Sequence, residues 1–497
     1  MGYSEILCTI CGVSFNIARI RRKDEPTTAA WNYVNEDDSF VEADEPHRFE
    51  DCGKNSGCTY YSRELDDGVY KSPWRESGSK DIGDADDDEN VEGLIAEYES
   101  GTDPRTYIHP LPSFKAKKYP KTSTSGYSGH AITVSEMQGI TTFQCLIRKR
   151  KNFQPTPDDT NFEKSPDFPM YLSGLCDSMP DRELANIETM YPMRHNMQSH
   201  SPDDICWGGD GFDEPNENDT DHFYSMPFHP SCLEIYTRAS RSWFDEDDNE
   251  EDYMLGGLLS WWRNNIHQKI FSQDSGPRSR CGEVGKLNEQ WWSHENGTEY
   301  IAANPLFIPN LAKVIADATT PHPIDGNSGA FDLPKATNFS PSPGDLFATL
   351  PAELRLNILT ELSSEDLCNL RLVSRSFRQL PLTLYHEMLM KNMKFFWEAW
   401  PARDQTPYPY LATTTAERVQ KDPVASRKPM PVPNQLDLSR TNWYRLYYGL
   451  RRGIRTGELK GLVNRSRIWE DCESILESIV EHWNEWEEER NARKANS

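Results

Sequence analysis

The residues best suited to chemistry are thiols and an imidazole. Cys8 and Cys11 stand three positions apart, and Gly12 follows them. Two thiolates at that spacing can grip one tetrahedral metal ion, and a glycine permits the tight turn beneath it. His229 and Cys232, in the run Phe228-His229-Pro230-Ser231-Cys232-Leu233, offer a second half. Pro230 favours a helix start, and the i, i+3 spacing would set His229 and Cys232 on one face. Cys52 and Cys58, with His47 nearby, form a rival second half. A third reading leaves these thiols as small buried apolar groups. If Cys8, Cys11, His229 and Cys232 bind together, the ion is zinc in a structural role, because four protein ligands leave no open position for chemistry.

More than two hundred residues separate the two halves. Loop-closure entropy grows only by about 0.6 kcal/mol per doubling of length, whereas structural zinc contributes roughly 10–16 kcal/mol in zinc-finger peptides. The distance is therefore no barrier. The paired cysteines and the His-x-x-Cys run resemble the two halves of a treble-clef finger. Other reactive side chains fall into no such pattern. Asp210, Asp213, Asn216, Asn218 and Asp221 are oxygen-rich, but their spacing departs from a calcium loop and reads as a solvated acidic loop. His195 and His200 lie in a polar segment beside no nucleophile pattern. The chain has no phosphate-binding glycine loop, no Gly-x-Ser-x-Gly elbow and no His-Glu-x-x-His. No enzyme is expected.

The chain of 497 residues is long enough for about three domains. Only 36% of it is hydrophobic, so long surface loops are expected beside a limited core. A formal charge of −26 repels nucleic acid and anionic membranes at long range. Local basic patches at 19–23, 115–121, 148–151 and 451–455 read as solvated surface. A nucleic-acid reading would place Arg19, Arg21, Arg22 and Lys23 behind the Cys8/Cys11 turn, against the overall charge. No apolar run reaches the roughly eighteen residues of a membrane span, and the opening residues are too few and too polar for a secretory signal. An odd count of 11 cysteines then points to a reducing compartment, cytoplasmic or nuclear. The Asn-x-Ser/Thr matches at Asn218, Asn296, Asn338 and Asn464 follow as chance.

The elements that must position these residues show a break in pattern. Acidic stretches at 77–104 and 245–252 read as loops, and 319–343, dense in Pro, Gly, Ser and Asn, reads as a linker and domain boundary. Before it, 131–134 and 141–147 are β-rich, 254–271 reads as an aromatic helix and 284–292 as a shorter one. After it, apolar spacing is helical throughout. The expected class is α+β: an irregular N-terminal α+β domain over 1–318 with zinc as its candidate brace, a helical module over 344–390, and a helical C-terminal region over 391–497. In that last region Ile468, Cys472, Ile475, Ile479 and Trp483 make a helical stripe, suited to packing on the preceding module or, with Trp486, to a partner groove.

The module itself begins where Pro351 suits a first helical turn. Leu354, Ile358 and Leu362 recur at four-residue spacing, with Leu359 beside them. Ser363 and Asp366 have capping-box spacing for a second helix carrying Leu367, Leu370 and Val373, and a third is expected from Ser374 through Phe377, Leu380 and Tyr385. Three short helices cannot bury that many large apolar side chains among themselves, so some must meet another surface. The string from Leu350-Pro351-x-Glu353-Leu354 through Ile358-Leu359, Leu362, Asp366-Leu367, Leu370 and Val373-Ser374 to Phe377 resembles an F-box. That family is a small helical bundle that docks on the Skp adaptor of a cullin–RING ubiquitin ligase. The resemblance implies docking through Leu350, Pro351, Leu354, Ile358, Leu359, Leu367, Leu370 and Val373, with an unknown protein substrate held elsewhere and no chemistry in this subunit. Cys8-x-x-Cys11-Gly12-x-x-Phe15-Asn16-Ile17-Ala18-Arg19, Gly126-Tyr127-x-Gly129, Glu136-Met137-x-Gly139 and Thr441-Asn442-Trp443-Tyr444 together resemble a large group of fungal F-box proteins. The alternative is a zinc-stabilised scaffold whose F-box works outside the ligase.

Overall fold

The computed structural model describes residues 7–15, 17–20, 22, 25, 29, 127–149, 154–155, 161–165, 170–174, 190–192, 205–207, 225–243, 257–258, 261, 297–324, 330–331, 345–362, 364–400 and 436–481. The rival ligands His47, Cys52 and Cys58 lie outside them, as do Arg21 and Lys23, both acidic loops, the oxygen-rich run, His195, His200, Ser363, the helix expected at 284–292, and Trp483 and Trp486.

Strand β1 (Arg19–Ile20) pairs in parallel with β2 (Tyr127–Ser128). The apolar run that predicts a strand at 141–147 yields β3 (Gln144–Arg148), which pairs antiparallel with β4 (Met170–Leu172) on one side. The short helix α1 (Asn161–Lys164) precedes β4, and β5 (Met190–Pro192) and β6 (Ile205–Trp207) make an antiparallel ribbon. On its other side β3 pairs with β7 (Ser225–Phe228), also antiparallel. Cys145, Leu146 and Ile147 are all buried, which is why the run is continuous rather than alternating. The strand expected at 131–134 is a turn instead. Thr133 and Glu136 form a reciprocal capping box there, the Thr133 N–H donating to Glu136 Oε2 at 2.9 Å and the Glu136 N–H to Thr133 Oγ1 at 3.3 Å. Those side chains compete with the sheet for the backbone donors.

After β7 the chain turns at His229 into α2 (Pro230–Trp243). A 3₁₀ turn at Glu299–Ala302 and α3 (Leu311–Ala318) follow, and later come α4 (Ala352–Glu361), α5 (Ser364–Val373), α6 (Leu382–Asn392), α7 (Trp443–Arg455) and α8 (Lys460–Glu481). One hydrophobic core runs from Cys8 to Ile479, taking in the central sheet, α2, the 299–302 turn, α7 and α8. The stripe Ile468, Cys472, Ile475 and Ile479 is buried in it, with α8 lying along α2 and the 299–302 turn, so the described parts of 1–318 and 391–497 share a core. The segment after α3 is also tied to the far region: Thr319 bridges Thr441, and the N–H groups of Thr320 and Ile324 donate to the carbonyls of Arg440 (2.8 Å) and Ser439 (2.7 Å).

Polar groups on α8 fix this packing. Arg465, fully buried, donates to both carboxylate oxygens of Glu398 at 2.9 Å and to the Pro305 carbonyl at 2.6 Å, with its guanidinium 3.8 Å above the Trp397 ring. Asn464 donates to the Ile301 and Ala303 carbonyls, which seals that Asn-x-Ser/Thr match inside the core. Gly461 lets α8 approach closely, since a Cβ there would meet the Asn304 carbonyl oxygen and lie 2.9 Å from Ile308. Gly461→Ala is expected to cost about 1–3 kcal/mol, as overpacking does; an unshifted urea midpoint would show that α8 can give way.

The module has its own smaller core of Leu359, Leu367, Phe377 and Leu384. Leu380 and Met388 pack against both cores and join them, and Tyr385 on α6 lies 5.1 Å from Tyr444 on α7. The third helix does not begin at Ser374. Ser374 instead caps a 3₁₀ turn at Arg375–Phe377, and α6 starts after Pro381. Proline disfavours helical backbone in the residue before it and has no N–H to continue a helix, so the two pieces cannot merge.

Candidate metal centre and docking face

Cys8 and Cys11 lie in a tight turn closed by Gly12 N–H to the Cys8 carbonyl and Cys8 N–H to the Val13 carbonyl, both at 2.8 Å. Gly12 takes φ 71°, the left-handed region that glycine enters freely. The Thr9 N–H donates to the Pro227 carbonyl at 2.9 Å, which sets this turn against the end of β7. Two residues on, at the mouth of α2, His229 and Cys232 face it. The metal-ligating atoms of Cys8, Cys11, His229 and Cys232 all lie within 4.8 Å of one another, and all four residues are buried. His229 Nδ1 is 3.5 Å from Cys11 Sγ and 3.7 Å from Cys232 Sγ, and the His229 backbone N–H points to Cys8 Sγ at 3.4 Å. The Phe15 ring packs 4.5 Å from the imidazole.

The electrostatics of this pocket favour a cation at its centre. Burial by itself would raise the Cys11 thiol, but hydrogen bonds from Cys232 and Cys8 and the charge of His229 hold it well below its ordinary value. Burial pushes the Cys232 thiol well up, reinforced by its hydrogen bonds with Cys11 and Cys8. Burial would lower His229, yet the negative charge on Cys8 and Cys11 raises it to about 10. The protonated imidazole is therefore favoured at this spot, where a metal ion would supply the same positive charge. Three sulfurs and one imidazole nitrogen, closed off from solvent, are a donor set that could hold a metal ion. The structure brings together all four predicted residues.

Arg19, the first cation of the 19–23 patch, is not surface. It is fully buried, with a double contact to Glu25 (2.7 and 3.0 Å) and bonds to the Ile132 and Ala29 carbonyls. Gly129 makes room for that pair, since a Cβ would come within 2.7 Å of both Arg19 and Glu25. Arg19 is thus a structural cation and cannot meet a phosphate.

The helical module presents a different kind of site. Of the predicted docking residues, Leu359 and Leu367 lie inside the module's core, Leu350, Ile358 and Leu370 are half-buried, and Pro351, Leu354 and Val373 are exposed. Val373 is 79% exposed, and Leu372 and Leu346, outside the expected docking set, are 78% and 80% exposed. They are the most exposed large apolar side chains among the described residues. The Asp345 carboxylate accepts from the hydroxyls of Ser374 (2.8 Å) and Ser376 (2.9 Å), which brings Leu346 to the end of α5 that carries Leu372 and Val373. Leu346 was legible in the apolar run before Pro351. Leu372 was not, because it falls off the three- and four-residue spacing of the buried stripe. Beside the C-terminal end of α4, a groove of about 740 Å³ is lined by Leu359, Leu362, Leu384 and Met388 and rimmed by Glu361, Glu387 and Lys391.

A family model described as F-box-like matches residues 347–391 of this chain. No curated protein and no solved structure matches it.

Proposed function

From the F-box-like domain at residues 347–391, we propose that this chain is the substrate-recruiting subunit of a Skp–cullin–F-box ubiquitin ligase. The observation that carries the reading is the coincidence of that domain with the exposed Leu354, Leu372 and Val373, with Leu346 immediately before it. Large apolar side chains left in water each forgo about 1.5–3 kcal/mol of burial, and a concentration of them marks a surface that a partner covers. The Skp adaptor would sit on this face, and a cullin–RING ligase would be recruited through it. The subunit would carry no chemistry, since ubiquitin transfer belongs to the conjugating enzyme. It would act in the cytoplasm or nucleus and present its target, a protein not yet identified, on surfaces outside the module. The N-terminal Cys8-x-x-Cys11-Gly12 segment, similar to that of fungal F-box proteins, supports the same class.

Zinc is the ion proposed for Cys8, Cys11, His229 and Cys232. Thiolates select soft or borderline metals, and closed Cys₃His tetrahedra are characteristic of structural zinc. When bound, the ion would supply a cross-link and no reaction. Its role is to fasten the N-terminal turn to β7 and α2.

Co-purification of the full chain with the Skp adaptor and a cullin tests the ligase reading. Capture of both is expected. Adaptor without cullin would give the scaffold reading instead, and no adaptor from a folded protein would overturn both.

A further inference from the structure

The metal turn is held from outside by a residue from the far end of the chain. Arg467, on α8 and only 4% exposed, donates from Nη1 to the Cys11 carbonyl at 3.0 Å. The same nitrogen reaches Asp471 Oδ2 at 3.2 Å, and Nε and Nη2 donate to Asn464 Oδ1 at 3.1 and 2.8 Å. Asn464 is anchored in turn on the Ile301 and Ala303 carbonyls. The guanidinium therefore has a fixed orientation on a helix that is itself buried against α2. Asp471 offsets its charge, so what it brings to the metal turn is position: the carbonyl it holds belongs to a ligand residue.

Metal sites rely on such outer contacts to fix their ligands. A ligating histidine usually gains this through its second ring nitrogen, yet His229 Nε2 is buried with no hydrogen-bond partner among the described residues. Phe15 orients that ring by packing. The polar support falls on the cysteine turn.

We propose that Arg467 is the outer-sphere positioning residue of the metal site, so that metal affinity depends on the seating of α8 and α8 is held in place by the metal. The inference rests on the metal reading above. Linkage makes the two effects equal, one coupling seen from either side. It would tie both ends of the chain to one ion, and Arg465, two positions earlier on α8, extends the tie to Glu398 in the segment that leaves α6.

The test compares full-length wild type with the double variant Arg467→Met/Asp471→Leu, which removes the guanidinium together with the carboxylate it pairs. Zinc affinity is read by competition with a chromophoric chelator, and site integrity by the thiolate-to-cobalt absorption of the cobalt-loaded protein. The double variant is expected to bind zinc about ten- to a hundredfold more weakly, as loss of outer-sphere support does, with unchanged circular dichroism. Arg467→Lys is expected to recover part of the loss. Hydrogen exchange on the wild type keeps the test open if the double variant does not fold: zinc should slow amide exchange in α8 as well as in residues 7–15. Wild-type zinc affinity in the folded double variant, or protection of 7–15 with none in α8, would overturn the role of Arg467 and leave the metal site standing. A wild-type chain that takes up no metal would remove the metal reading itself.

Discussion

The Val373→Asp protein is expected to fold like wild type and to lose capture by the Skp adaptor. Val373 is 79% exposed and touches little of its own chain, so a carboxylate there stays hydrated in the free protein. In a complex that covers this end of α5, the same carboxylate would be buried without a partner, at a cost of about 3–5 kcal/mol. That corresponds to roughly a hundred- to several-thousandfold loss of affinity. Leu354→Asp, at a half-exposed site on α4, is expected to act in the same direction. Val134→Asp, exposed on the turn after β2, serves as the control and should leave capture unchanged. Titration of the adaptor against each purified variant by calorimetry decides the matter. If Val373→Asp and Leu354→Asp both bind as wild type does, the adaptor does not use this face. Substitution of Leu359 or Leu367 would be a poor probe, because both hold the module's core and their loss would unfold it.

If Cys8, Cys11, His229 and Cys232 hold zinc as proposed, its removal is expected to have the largest effect on stability. Structural zinc sites contribute roughly 10–16 kcal/mol in small peptides, and whole domains are stable by only about 5–15 kcal/mol. The ligands come from the N-terminal turn and from the start of α2, and both belong to the core that also contains α8. Treatment with a strong chelator, or Cys11→Ser, should therefore lower the calorimetric midpoint of the main core by roughly 10 °C or more. Mild acid should favour metal release, because protons compete for the same sulfurs and ring nitrogen. Superimposable transitions with and without chelator, alongside one equivalent of metal in the untreated protein, would show that the ion does not brace the fold.

How far the sequence reached differs from element to element. The Cys8/Cys11 and His229/Cys232 pairs were legible because each is a local pattern: a CxxC-Gly turn, and two residues one helical turn apart behind a proline. That the four meet was not legible: the hydrogen bond from Thr9 to Pro227 and the burial of the turn against β7 bring them together, and these depend on packing. The strand expected at 131–134 failed for a local reason: Thr133 and Glu136 satisfy the backbone with their own side chains, a competition that apolar content does not reveal. Arg19 failed for a non-local one. A cation in a basic run reads as surface until Glu25, Ala29 and Ile132 close around it.

By itself the sequence determined the α+β class, the helical module and the residue types of the candidate metal site. These follow from periodicity, capping and spacing over a few turns of chain, since on a helix side chains four positions apart are neighbours wherever the helix packs. Only the tertiary structure decided that α8 lies on α2, that Arg467 reaches the Cys11 carbonyl across 456 positions, and that Leu346, Leu372 and Val373 stay in water while Leu359 and Leu367 do not. The physical reason is that burial is a property of a surface and its cover. An apolar stripe states that a face will be covered and leaves the partner unspecified, and the partner is set by which distant surfaces fit one another.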